Sequence, residues 1–292
     1  MSRSFRLVAL AASIRVGEVM VLQGAPLIGL AFSIGPITVA KIQAAIIFAA
    51  ASFLLVAHVF TLNDWADFTR GLHHSNGTMS QLESKSISPR LLLSFSFLLL
   101  TVSLLFFLLL SARCFLLATA IATLGIVYSH PSLNGKSVPI ISSLLHFLGG
   151  LLHFLLGYAL FSAINERGIL VGLFFAFTFS AGHLNQELRD FDLDQRAGAR
   201  TNAVAFGKRT NFLIALVLFT VAYSYLFFLA WIGYVPRPLA ILPIVICPLH
   251  VIWSMRTLRD GLTPNSIQWF RVRYRLCYAL IGIAMLVAVI SR

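Results

Sequence analysis

Five of the six aspartates in this 292-residue chain fall in two short clusters. The first reads NDWAD and holds Asn63, Asp64 and Asp67; the second reads RDFDLD and holds Asp190, Asp192 and Asp194. On a helix, residues three or four apart share a face, so Asp64 and Asp67 can converge on one ion with Asn63 beside them. Asp190 and Asp194 stand in the same i, i+4 relation, with Glu187 three residues earlier on that face. Asp192 is turned away from them by about 200° at the helical period. A donor set of oxygens alone, without cysteine or a histidine pair, suits Mg2+ better than zinc. Magnesium is commonly bound through one or two carboxylates together with substrate phosphates, so two such clusters point to a shared diphosphate. The plainer reading is that both are ordinary hydrated helix ends.

The elements that must position these residues are membrane spans. The chain is 59% hydrophobic and 11% charged, with a mean hydropathy of +0.89, which excludes an ordinary soluble domain. Apolar runs long enough to cross a bilayer recur at roughly 16–35, 40–62, 90–112, 113–130, 138–163, 168–188, 211–233, 238–256 and 272–291. The fourth and eighth are short or interrupted. The pattern predicts an all-α integral membrane protein of about nine transmembrane helices, a single polytopic domain over residues 1–292 with no second soluble domain. Carboxylates at the ends of such spans are costly unless something offsets them.

The apolar stretch after Arg3 and Arg6 is short and is followed at once by Arg15, so no cleaved signal is expected there. Cys114, Cys247 and Cys277 lie far apart without metal-ligand spacing and are expected to pack. The net charge of +12 is distributed as in a membrane protein, and no nucleic-acid partner is expected. With the N-terminus and the even-numbered loops on one face, 17 of the lysines and arginines fall on that face and 5 on the other. The positive-inside rule then predicts a cytoplasmic N-terminus, with both acidic clusters on the cytoplasmic side. A plasma membrane, bacterial or archaeal, is the default location.

Taken together, these residues resemble the UbiA-type intramembrane prenyltransferases. NDWADFTRG is similar to that family's first motif, ISPR (87–90) to the segment opening its third helix, and YSHPSLNGKSVP (128–139) to its loop after the fourth. RDFDLDQRAGARTNAVAFG (189–207) resembles the second motif, with Gly198, Thr201 and Gly207 in place. That second motif is nearest the 1,4-dihydroxy-2-naphthoate prenyltransferases. The chain departs from the usual first motif, with Gly71 where a third Asp is common and His73 where the naphthoate enzymes place it. An Arg-Pro pair before ISPR is absent, and the middle loop is not of the naphthoate type.

The resemblance implies a nine-helix bundle with a central cavity open to the cytoplasmic side. It also implies transfer of a prenyl group from a prenyl diphosphate to a lipophilic, usually aromatic or quinone-precursor, acceptor within membrane lipid. Allylic diphosphates react by ionisation, and the leaving pyrophosphate is stabilised by Mg2+ and cationic side chains. On this reading Asn63, Asp64 and Asp67 hold one Mg2+, and Asp190 with Asp194 the other, assisted by Glu187. Lys136 is expected to contact the diphosphate, with Arg15 and Arg200 as further phosphate contacts. Tyr128 contributes a ring face to the allylic cation or simply sits at the interface.

Polar residues inside predicted spans mark candidate acceptor contacts: Glu18, Gln23, His58, His146, His153, His183 and Asn185. For each, an interhelical hydrogen bond is the alternative. Two other functions fit parts of the pattern. A membrane terpene cyclase or diphosphate lyase would keep the ionising machinery and need no acceptor. A transporter or lipid-binding scaffold would often show inverted repeats and helices broken at mid-membrane; no such symmetry is evident, and the acidic residues sit at helix ends rather than the midplane.

Overall fold

The computed structural model describes residue 10 and residues 13–70 and 87–291. Gly71 and His73 lie outside the described residues. Among the described residues all regular structure is helical, and nine helical segments are long and apolar enough to cross a membrane. The elements are α1 (Val16–Leu22), α2 (Gly24–Ser33), α3 (Val39–Thr69), α4 (Pro89–Leu110), α5 (Ala112–Ser129), α6 (Ile141–Tyr158), α7 (Glu166–Arg196), α8 (Asn202–Phe206), α9 (Lys208–Trp231), α10 (Ile241–Arg259) and α11 (Pro264–Ile290). The first span is broken at Gln23 into α1 and α2, where one run was expected. The eighth opens with a 3-10 turn at Arg237–Ala240 and carries Pro248 inside α10, yet still spans.

Helix starts are set locally. Thr38, Ser88, Ser111, Asn165 and Thr263 each accept a backbone N–H of the first turn through a side-chain oxygen, satisfying donors that lipid cannot. Pro89 and Pro264 occupy first-turn positions where no N–H is needed.

Helices α3 and α7 each have 31 residues. At 1.5 Å per residue each is about 46 Å long, against a hydrocarbon core of about 30 Å. The surplus turns carry the two acidic clusters, so the clusters ride on rigid extensions of spans rather than on loops.

Packing is close where glycine allows it. An added Cβ on Gly29 would fall 2.1 Å from Phe154 O, and one on Gly157 would fall 1.8 Å from Pro26 O, so α2 and α6 meet backbone to backbone. Gly150 faces Phe175 O in the same way, joining α6 to α7. Aromatic rings fill the space around these contacts, including Phe154 against Phe175 at 5.0 Å and Phe32 against Phe154 at 5.9 Å. The outer surface is apolar: Leu109, Val39 and Trp231 are among many large hydrophobic side chains left exposed, as lipid-facing positions should be.

Candidate active site

The C-terminal turns of α3 and α7, the start of α1, the end of α5 and the 3-10 turn Gly135–Ser137 surround one cavity of about 900 Å³. Asn63, Asp67, Lys136, Asp190, Asp194 and Arg15 all line it. Residues 127 positions apart in the chain, Asn63 and Asp190, thus share one wall system. Phe174, Phe175, Phe179, Ile28 and Met285 line it as well, so one chamber offers both charged and hydrocarbon walls.

The motif carboxylates are matched with cations, those of α3 with cations from other elements. Arg15 sits at the start of α1 with a left-handed φ of 52°, a rare conformation for a residue with a Cβ. Its guanidinium is bonded to both oxygens of Asp64, the Nε contact measuring 3.2 Å. Asp64 is 1% exposed and does not itself line the cavity. Lys136 is bonded to Asp67 through Nζ. Asn63 Nδ2 donates to Asp67 Oδ2 at 3.3 Å, while Asn63 Oδ1 is buried with no hydrogen-bond partner. On α7, Arg189 grips Asp190 with two bonds of 2.8 and 2.7 Å.

Lys136 is held by a built loop. Gly135 must be glycine, because a Cβ there would stand 2.7 Å from Val127 O. Arg70 donates to Asn134 Oδ1 at 2.7 Å on one side of the turn. On the other side the Ile140 N–H donates to Asn202 Oδ1 at 2.6 Å, holding the β-branched Ile140 at a φ of 69°. Asn202 leads to Glu187, since its Nδ2 donates to Glu187 Oε1 at 2.9 Å.

Glu187 is tied to the elements around it. It accepts from Asn202 Nδ2, from Ser142 Oγ at 3.2 Å and from the Ala203 N–H at 3.1 Å, and His183 Nε2 approaches its Oε1 at 3.0 Å. Three of these contacts fall on Oε1 and one on Oε2, and Glu187 also lines the cavity. These bonds make Glu187 a buried brace between α6, α7 and α8.

Other expected residues sort by position. Glu18 lines the cavity and is not isolated: Arg271 and Arg275 of α11 donate to it at 3.0 and 3.1 Å. Arg200 is exposed and does not line the cavity, whereas its neighbour Thr201 does, with Oγ1 buried and unpartnered. Asp192 turns outward to Lys208 at 3.1 Å, as its spacing implied. Tyr128 lines the cavity, edge-on to His146 at 5.0 Å and to His183 at 6.0 Å. His146, His153 and His183 line it too. His58 instead bonds Ser96 across the α3–α4 contact at 2.8 Å, and Asn185 bonds its own helix at Ala181 O. Gln23 is likewise spent on Val19 O. Arg189 and Arg275 line the cavity unforeseen; adjacency to Asp190 was the available signal for the first, and none marked the second.

The model of the UbiA prenyltransferase family matches residues 24–287. The chain belongs to that family. Solved UbiA-type structures share the fold of this UbiA-family chain. A UbiA homologue from Archaeoglobus fulgidus bound to GPP and Mg2+ is 20% identical, with a TM-score of 0.72 over 95% of this chain and 99% of that one. A digeranylgeranylglyceryl phosphate synthase is 17% identical, with a TM-score of 0.74 over 98% of this chain and 99% of the other. The apo UbiA homologue from Aeropyrum pernix K1 is 16% identical, with a TM-score of 0.69 over 92% and 98%. No curated protein matches the chain by sequence. The protein is therefore a multi-pass membrane prenyltransferase, with both acidic clusters set around its central cavity.

Proposed function

We propose that this chain transfers a prenyl group from an allylic diphosphate, bound with Mg2+ between the two acidic clusters, to a lipophilic acceptor of aromatic or quinone-precursor type. The observation that carries this reading is the single cavity that both clusters share with phenylalanine-rich walls. A diphosphate ester needs both surroundings in one chamber.

The donor set fits magnesium. Asn63 Oδ1, Asp67, Asp190 and Asp194 are all hard oxygen donors on the cavity, and the Asn63 oxygen is buried without a partner. Among the described residues no three acidic, histidine or cysteine side chains form a complete metal cage, which suits an ion that takes part of its shell from substrate phosphates. Asp64 contributes through its neighbours, since its oxygens are bonded to Arg15. Mg2+, when bound, supplies charge stabilisation to the departing pyrophosphate.

The chain's own residues do the rest. Lys136, Arg15 and Arg189 present cations to the same charge, already placed and needing no reorganisation. Tyr128 turns an aromatic ring towards the chamber where the allylic cation forms. Phe174, Phe175 and Phe179 exclude water that would otherwise quench that cation. Glu187 keeps the Lys136 loop and α8 in register through Asn202. We place the clusters, the N-terminus and the cavity mouth on the cytoplasmic side of a plasma membrane, on the strength of the 17-to-5 charge asymmetry.

The test is pyrophosphate release by purified protein in lipid from a panel of prenyl diphosphates. It is run with and without Mg2+ and with and without dihydroxynaphthoate or hydroxybenzoate, with Asp64→Ala and Asp190→Ala as controls. Release that requires the metal, an acceptor and both aspartates supports the proposal. Release without acceptor indicates a cyclase or lyase, and no release from any donor sinks the catalytic reading in favour of a binding scaffold.

A further inference from the structure

Prenyl transfer to carbon or to a hydroxyl releases a proton from the acceptor, and a group must take it. The carboxylates are engaged with cations or braced, as Asp67 is by Lys136, Asp190 by Arg189 and Glu187 by its three hydrogen bonds. A different group on the same wall has the required lone pair.

His146 stands on α6 and lines the cavity. Its Nδ1 lies 2.8 Å from the Ser142 carbonyl oxygen, one turn back on its own helix. A carbonyl oxygen only accepts, so Nδ1 carries the hydrogen, and in the neutral ring Nε2 then holds the lone pair. Nε2 lies across the ring from that bond and has no protein partner among the described residues. The ring is fixed by more than one contact. His183 of α7 stacks on it at 3.7 Å and 7° from parallel, and Tyr128 of α5 meets its edge at 5.0 Å.

Behind the stack, His183 Nε2 lies 3.0 Å from the Glu187 carboxylate, so a positive charge on the paired imidazoles faces a buried negative one. The titratable and charged groups that line the same cavity include Tyr128 from α5, His183, Glu187, Asp190 and Asp194 from α7, His153 from its own helix, Asp67 from α3 and Lys136 from the preceding turn.

We infer that His146 Nε2 is the base that takes the acceptor's proton, with His183 positioning it. This rests on the transferase reading above. In the step, the donor's C–O bond breaks and its electron pair leaves with pyrophosphate. The allylic carbon bonds to the acceptor, and the acceptor's C–H or O–H proton passes to His146 Nε2.

Two measurements test it. In protein labelled with ¹⁵N-histidine and held in lipid nanodiscs, the His146 resonances, assigned with His146→Gln, should report a protonated Nδ1 and a bare Nε2. The reverse tautomer overturns the inference whatever the acceptor. The second measurement is the ratio of prenylated product to pyrophosphate released, using dihydroxynaphthoate and hydroxybenzoate as acceptors. In His146→Ala and His146→Gln that ratio should fall at least tenfold, within the range for a lost general base, and added imidazole should restore it in the alanine variant. An unchanged ratio, or parallel loss of product and pyrophosphate in both variants without rescue, overturns the inference. Failure of the wild-type protein to release pyrophosphate from any donor would count against the transferase reading instead.

Discussion

Asp64 and Asp67 are one helical turn apart, yet each is matched with a cation from a different element: Arg15 from the start of α1 and Lys136 from the turn after α5. Neither partnership is local in sequence, at separations of 49 and 69 residues. Buried carboxylates in this setting need such partners, because an uncompensated charge costs several kcal/mol. The same cations serve a phosphate once one is present. Lys136→Gln should therefore lower kcat/KM for the prenyl diphosphate by about a hundredfold, the scale for losing one placed electrostatic stabiliser. Steady-state pyrophosphate release checks this. Glu187 makes a contrasting case, an acidic residue whose oxygens accept hydrogen bonds from Ser142, Asn202 and the Ala203 N–H. Glu187→Gln turns one acceptor into a donor facing the Ala203 N–H or the Asn202 amide. It should cost about 1–3 kcal/mol of stability, read as a lower Tm in detergent, while the Mg2+ concentration giving half-maximal turnover stays within about twofold. A large shift in that midpoint would place Glu187 on the metal.

At the scale of elements, α6 organises the molecule because it is thin where it touches its neighbours. Gly157 admits Pro26 of α2, and Gly150 admits Phe175 of α7. The face that His146 and His153 present to the cavity is thereby set at backbone contact distance from both partners. Gly157→Ala would place a methyl group 1.8 Å from a backbone oxygen, which no rotamer change can relieve. The helices must separate, at about 1–3 kcal/mol or more. Gly17→Ala on α1 meets nothing within 4 Å and should be neutral, or stabilising by up to about 1 kcal/mol through helix propensity. Thermal unfolding of the two variants side by side checks the contrast, and equal behaviour would remove the close-packing argument. The 31-residue lengths of α3 and α7 were only partly legible, because hydropathy marks where lipid ends and says nothing of how far a helix continues into water.

For the whole molecule, the nine spans among the described residues are an odd number, which places the start of α1 and the end of α11 on opposite faces. Gln195 and Arg237 are both exposed and are separated by α9. A cysteine at position 195 should react with an impermeant maleimide only from the cytoplasmic side, and one at 237 only from the other. The native Cys114 and Cys277 are buried, and replacing the half-buried Cys247 removes the remaining background. Labelling of both positions from one side would overturn the orientation drawn from charge. The first and last spanning units are also tied together, with Glu18 of α1 held by Arg271 and Arg275 of α11 across more than 250 residues. This contact completes the cavity wall.

The sequence by itself determined the class of the protein, its spans, the two acidic clusters and their helical spacing. Each of these depends on local composition or on the geometry of a single helix, which neighbouring residues dictate. The inward turn of Asp190 and Asp194 and the outward turn of Asp192 were readable for that reason. Only the tertiary structure decided what faces what. It separated His146 and His183, stacked on the cavity, from His58, spent on Ser96 between two helices. It gave Glu187 hydrogen-bond partners on α6 and α8, left Arg200 outside and brought Arg275 in. The physical reason is that a polar side chain in a span must find a partner, and whether that partner is a neighbouring helix or a ligand depends on how the helices cross. That crossing is set by backbone contacts at Gly29, Gly150 and Gly157, between residues far apart in the chain.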